Sequence, residues 1–220
     1  MSEPSSPGPG PLLAVTGLTC RRGELTLFEG LDFEVEPGRI VWVRGANGQG
    51  KTTLLRTIAG LARADAGRIV MGGAAAMPPL YIGHANALKD DLDVFDSLRF
   101  LLRLGAGAAD VPSDVTVLAA LARFGLAGRR RVPVRTLSQG QRRRVALARL
   151  AAPMRATLWL LDEPFDALDA AGSETLIALL AEHTGRGGGV VLTSHAALAL
   201  DPEPVVVTLA APGPAPGPAP

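Results

Sequence analysis

Three short runs of this 220-residue chain carry residue types that do chemistry at a phosphate. The first is Gly45-Ala46-Asn47-Gly48-Gln49-Gly50-Lys51-Thr52, followed by Thr53. Glycines at this density let a backbone curl until its amides converge on phosphate oxygens, and the dipole of a following helix adds to the attraction. Lys51 would bridge terminal phosphates, and the Thr52 hydroxyl would hold Mg²⁺. The run directly follows the apolar segment Ile40–Val43 and opens a helical pattern, the context that separates a nucleotide-binding loop from a chance glycine turn. Gly45, Asn47, Gly48, Gly50, Lys51, Thr52 and Thr53 are the candidate nucleotide contacts.

The second run is Leu158-Trp159-Leu160-Leu161-Asp162-Glu163-Pro164. An apolar strand ending in two carboxylates sets charge at the C-terminal edge of a sheet, where open α/β sheets bind ligands. Asp162 would orient Mg²⁺, directly or through its waters, and Glu163 would take a proton from an attacking water. Acidic pairs after strands are common turn formers, so the weight here comes from sharing a sheet with the glycine loop. In the third run, Leu137-Ser138-Gln139-Gly140-Gln141, Ser138 can cap a helix and Gly140 lets a phosphate reach exposed amides. Arg142, Arg143 and Arg144 follow, on a helix that also carries Val145 and Ala148. They read as its solvated face rather than as a nucleic-acid patch.

Strands alternating with helices would bring these runs together. The segments Leu31–Val35, Ile40–Val43, Arg68–Met71, Leu158–Asp162, Val190–Ser194 and Val205–Leu209 predict strands. Trp159–Leu161 and Val190–Leu192 are apolar without alternation, as central strands covered on both faces are. Helical patterns occupy Lys51–Leu61, a segment capped by Asp93 with Phe95, Leu98 and Leu102 on one face, Asp114–Phe124, Gln139–Ala152 and Gly172–Thr184. Residues from about 85 to 135 lack strands and read as a helical insertion. The whole predicts an α/β fold with a largely parallel sheet. Its body runs from about Leu12 to Leu209, and half of the 18 prolines lie outside it, in tails at 1–11 and 210–220 expected not to pack.

At 47% hydrophobic and 20% charged, the chain can bury one sizeable core, which excludes wholesale disorder. With 22 basic and 21 acidic residues there is no global field to recruit nucleic acid or an anionic membrane. Lys51 and Lys89 are the only lysines, so the one in the glycine loop stands out. The 26 glycines divide between a compositional bias and the phosphate-facing loops. A single cysteine, Cys20, excludes an internal disulfide and favours a reducing compartment. No basic segment followed by an apolar stretch opens the chain, so no signal peptide is expected. The longest uncharged run of the body, Ile69–Leu88, holds Gly72, Gly73, Pro78, Pro79 and Gly83 and is not expected to span a membrane.

The run Leu137–Gln141 resembles the Leu-Ser-Gly-Gly-Gln signature of the ATP-binding-cassette (ABC) ATPase family. Order and spacing agree: glycine loop, signature, Asp162-Glu163, then Asp166-Ala167-Leu168-Asp169, then Thr193-Ser194-His195. The resemblance covers about Leu12 to Leu209. It implies a P-loop ABC cassette with a mostly parallel core sheet, an antiparallel β lobe, and a helical subdomain at about 85–150. It also implies ATP and Mg²⁺, held in a head-to-tail homodimer with two sandwiched ATPs. Lys51 and Thr52 of one subunit would hold a nucleotide while Ser138, Gly140 and Gln141 of the other close over its γ-phosphate. Asp169 matches the loop that crosses the dimer. His195 matches the histidine that contacts the γ-phosphate and steadies the water activated by Glu163.

Four positions depart from the family pattern. Arg22 falls near the place of the usual adenine-stacking aromatic, and a guanidinium can stack on adenine too. His84 stands where most relatives have the glutamine that links the Mg²⁺ site to a membrane partner. Gln139 replaces a signature glycine, and Asp166 replaces a serine. The compact size, Gly83-His84, Trp159–Phe165 and Gly188–His195 are similar to the ATP-binding subunit of bacterial cytochrome c maturation systems. That likeness implies a protein on the cytoplasmic face of the inner membrane, a separate integral-membrane subunit and haem-handling assembly factors. The alternatives are an ATPase serving another small-substrate transporter and a soluble ABC ATPase acting on ribosomes or DNA. Balanced charge and the lack of a heptad run count against the soluble one, and a P-loop kinase or GTPase would not need the signature.

Overall fold

In the computed structural model, residues 10–72, 78–105, 112–153, 157–195 and 199–209 are described. Of the tails expected at 1–11 and 210–220, residues 1–9 and 210–220 lie outside them. Strands β1 (Leu13–Arg22) and β2 (Leu25–Val35) form an antiparallel hairpin of which the sequence pattern predicts only Leu31–Val35. The pairing register explains why. It shifts between Val15 and Leu18 and again on either side of Cys20, and every shift breaks the apolar alternation that marks a strand. Gly17 and Gly30 sit at these irregularities with φ of 58° and 63°. Their amides are satisfied by side chains: Gly17 donates to Asp32 Oδ1 (2.7 Å) and Gly30 to Thr19 Oγ1 (3.1 Å).

β3 (Ile40–Arg44) leads through the glycine loop to helix α1 (Lys51–Ile58). β4 (Ala66–Met71) returns to pair with β1, giving a three-stranded antiparallel sheet ordered β2-β1-β4. After β5 (Leu80–Ile82), the chain enters the helical region with α2 (Val94–Gly105) and α3 (Asp114–Arg123). α4 (Gln139–Leu147) tightens into a 3-10 turn at Ala148–Ala151, so the segment predicted as one helix to Ala152 narrows after Leu147. β6 (Leu158–Leu161), α5 (Ala170–Gly185), β7 (Gly189–Thr193) and β8 (Val205–Thr208) complete the fold. Five strands form a parallel sheet ordered β5-β6-β7-β3-β8.

Both faces of this sheet are covered. Ile40, Trp42, Trp159, Leu161, Val190 and Leu192 face the helical region, packing with Val94, Leu98, Leu121 and Leu147. Val41, Val43, Leu158, Leu160 and Val191 face the antiparallel sheet and α1. Each fully buried Val or Leu contributes roughly 1.5–3 kcal/mol, which is why Ile40–Val43, Leu158–Leu161 and Val190–Leu192 are apolar at every position. On α5, His183 stacks on Trp159 with ring centroids 3.8 Å apart and planes 8° from parallel. A Cβ on Gly188 would lie 2.3 Å from His183 Nε2, and one on Gly189 would lie 2.8 Å from Val35 Cγ1. These two glycines are therefore packing residues and not products of compositional bias.

Candidate nucleotide-binding and hydrolysis site

The loop between β3 and α1 is built on two left-handed glycines, Gly48 at φ 82° and Gly50 at φ 91°. Gly50 is excluded from carrying a side chain twice over, because a Cβ there would lie 2.9 Å from Leu27 Cβ in β2. At Gly45 a Cβ would lie 2.6 Å from Gln49 Oε1, which accepts the Ala46 amide. Lys51 is buried, and its ammonium donates to the carbonyls of Gly45 (2.9 Å) and Ala46 (3.4 Å). The loop thus holds its own cation at its mouth.

Across the cleft, the C-terminal end of β6 presents Asp162 and Glu163. Asp162 is buried, and each carboxylate oxygen accepts a hydroxyl: Thr52 Oγ1 at Oδ2 (2.8 Å) and Thr193 Oγ1 at Oδ1 (3.0 Å). Thr193 Oγ1 also accepts the Glu163 amide at 2.8 Å. Glu163 adopts φ 47°, a left-handed backbone that a glutamate resists. Its Oε1 lies 3.3 Å from His195 Nε2, and this buried oxygen accepts no hydrogen bond among the described residues. Burial pushes the Glu163 carboxyl up from its ordinary range, with His195 opposing the shift and Asp166 adding to it. A buried carboxylate that lines a cleft beside a histidine is suited to accept a proton.

One cleft of about 560 Å³ gathers most of the sequence-predicted residues. The glycine loop and α1 supply Asn47, Gly48, Gly50, Lys51, Thr52 and Thr53. Asp162, Glu163 and His195 come from the sheet edge, while Arg22 and His84 flank the opening. His84 is exposed, and its Nδ1 is 3.9 Å from Asp166 Oδ2.

Ser138, Gly140, Gln141 and Asp169 do not line this cleft. Ser138 caps α4 in a reciprocal box: its Oγ accepts the Gln141 amide (3.3 Å), and Gln141 Oε1 accepts the Ser138 amide (3.1 Å). A Cβ on Gly140 would lie 2.6 Å from the Ala167 carbonyl. Asp169 caps α5 through the Gly172 amide (2.9 Å) and also accepts from Arg144. Those two bonds hold its carboxyl below the usual range, the Gly172 amide contributing most.

The reading of Arg142–Arg144 as a solvated face does not hold. Arg142 pairs with Asp90 at 2.7 Å, Arg144 pairs with Asp169, and Arg143 is only 3% exposed. The signal was in the periodicity: Arg143 lies three and four residues before the buried Ala146 and Leu147 and so shares their face. Thr193 and Arg56 also went unassigned in the sequence. Thr193 orients both acidic residues, and Arg56 lines the cleft.

The family model described as ABC transporter matches residues 28–166. The chain belongs to the ABC transporter family. It is 46% identical to the cytochrome c biogenesis ATP-binding export protein CcmA of Albidiferax ferrireducens, over 84% of this chain and 90% of that relative. The same-named protein of Escherichia coli K12 is 45% identical over 84% and 89% of the two chains, and that of Nitrosomonas europaea 41% over 89% and 94%. Among solved structures, a putative ABC transporter ATP-binding protein from Pyrococcus furiosus superposes with a TM-score of 0.75 at 25% identity, covering 90% of this chain and 96% of that one. A dimeric ATP-binding cassette in a post-hydrolysis state bound to ADP and Pi gives 0.70 at 22% identity, covering 84% and 88%. The fold is that of the ABC ATPase cassette, with the parallel sheet, antiparallel sheet and helical region expected of it. The chain is an ABC-type ATPase.

Proposed function

We propose that the chain is the ATP-hydrolysing subunit of a membrane ABC complex for cytochrome c maturation, coupling hydrolysis to haem export or to release of a haem-loaded chaperone. The observation that carries the chemistry is the convergence of Lys51, the Thr52–Asp162 pair and the Glu163–His195 contact on one cleft. The names of relatives at 41–46% identity support the cytochrome c assignment.

Lys51 exchanges the Gly45 and Ala46 carbonyls for phosphate oxygens as a nucleotide enters, so its charge is never left without acceptors. The freed loop amides, with those opening α1, close on the phosphate chain. Thr52 and Asp162 are hard oxygen donors facing each other at 2.8 Å, a set that suits Mg²⁺ bound through one hydroxyl and carboxylate-held water. When bound, the ion neutralises charge on the terminal phosphates. Glu163 takes the proton of the attacking water through its carboxylate, and His195 Nε2 steadies that water and the γ-phosphate. Arg22 stacks on the base. Ser138, Gly140, Gln141 and Asp169 complete the site of a second copy, giving a homodimer with two sandwiched ATPs. In this reading His84 faces a separate integral-membrane subunit, and the chain works on the cytoplasmic face of the bacterial inner membrane beside haem-handling factors.

The test is Glu163→Gln, introduced in the chromosome and purified in parallel. ATP binding is retained, turnover falls about 100-fold or more, and the cells lose their c-type cytochromes. Hydrolysis at the parent rate would remove Glu163 as the base. Lost hydrolysis with unchanged cytochromes would leave the ATPase and remove the cytochrome reading.

A further inference from the structure

We infer that Arg143 is a positioning residue for hydrolysis, a clamp that ties α4 to the backbone of Asp162 and Glu163. Its Nη2 donates to the Asp162 carbonyl (2.7 Å) and the Glu163 carbonyl (2.9 Å). Its Nη1 donates to the Gly83 carbonyl (2.8 Å) and to Asn86 Oδ1 (3.2 Å), on the loop that carries His84. All four acceptors are neutral. The charge is offset only through space, by Asp166, Asp162 and Glu163, and burial lowers the pKa of the guanidinium.

A buried cation held this way is a costly means of filling space, since an apolar side chain of similar volume would serve the core as well. What an apolar residue cannot do is fix a peptide plane. The Asp162–Glu163 peptide is gripped at both ends, its carbonyl by Arg143 and its amide by Thr193 Oγ1. The next carbonyl, that of Glu163, is gripped by Arg143 as well. Together these bonds hold Glu163 at φ 47° and keep its carboxylate beside His195. The rigid fork of a guanidinium reaches both arms at once, and a lysine head cannot.

Arg143 also sits one turn into the helix that Ser138 caps. A tilt of α4 as Ser138 closes on a neighbouring nucleotide would therefore be felt at the peptide that carries the base. The inference rests on Glu163 being the base.

Full-length Arg143→Lys, Arg143→Met, Glu163→Gln and Leu121→Ala chains are compared in membranes from producing cells, with turnover expressed per folded chain. Leu121 is buried in α3, far in sequence from the cleft, and controls for lost stability. Both Arg143 variants should lose about 10- to 100-fold in kcat, as expected for a base displaced by a fraction of an ångström or more, with KM for ATP unchanged. Millimolar guanidinium should restore part of the rate to Arg143→Met and none to Leu121→Ala, whose kcat stays at the parent value. Parent kcat in either Arg143 variant, or a loss confined to KM, overturns the clamp. So does failure of both variants to fold, because a structural role then suffices. An inactive Glu163→Gln beside fully active Arg143 variants overturns the clamp alone. An active Glu163→Gln overturns the base and the clamp together.

Discussion

Each carboxylate oxygen of Asp162 accepts one hydroxyl, and the second of these, from Thr193, also takes up the Glu163 amide. Thr193→Val keeps the shape and removes the oxygen, leaving a buried carboxylate oxygen and a buried amide without that partner. The expected loss is about 1–3 kcal/mol in denaturant unfolding, with reduced turnover, and Thr193→Ser should recover both. Parent stability in Thr193→Val would show that the hydroxyl is dispensable. That Lys51, Thr52, Asp162 and Glu163 would line one cleft was legible in the sequence because each sits in a contiguous run of telling neighbours, while His195 was marked by the family resemblance. The burial of Arg143 could be read from its spacing to Ala146 and Leu147, but its partners could not, for a physical reason. Three of its four acceptors are main-chain carbonyls, which every residue has, so no acidic partner marked it in the sequence.

At the scale of elements, α5 and β6 are joined by a stack that depends on an uncharged histidine. Burial against Trp159 lowers the His183 imidazole to about 4 from its ordinary 6.5. Between those values the unfolded chain binds a proton that the folded chain does not, so stability is complete above 6.5 and falls as pH drops toward 4. The loss amounts to about 3 kcal/mol across that window. His183→Phe preserves the stack and removes the titration. Thermal unfolding at pH 7 and pH 4.5 should show a smaller difference for the variant than for the parent, and equal differences would refute the assignment. The inner strands and the long helices were readable from periodicity because burial on both faces, or on one stripe, leaves a regular pattern. The β1–β2 hairpin was not, since its register shifts and left-handed glycines scramble the alternation.

For the molecule as a whole, the nucleotide cleft and the signature residues lie apart: Lys51 lines the cleft and Ser138 does not. If two copies complete each other's sites, two inactive chains can repair one another. Lys51→Ala and Ser138→Phe, each silent alone, form mixed dimers with one intact site from the unaltered glycine loop of one copy and the unaltered signature of the other. Equal mixing should regain about a quarter of parent turnover, because half the dimers are mixed and carry one good site of two. No recovery would indicate that the sites are not shared. The antiparallel lobe was foreseen from the family resemblance and not from pattern, whereas no helix among the described residues is long and apolar enough to cross a membrane.

Glu163 occupies a backbone conformation natural to glycine and tolerated by asparagine. Replacing it with either would relax a strain of order 1–3 kcal/mol while deleting the proposed proton acceptor. Heat resistance and turnover therefore pull this position in opposite directions. A library selected only for survival at high temperature would drift toward glycine here and yield sturdier, silent proteins. Laboratory evolution of this chain needs its counter-selection at position 163.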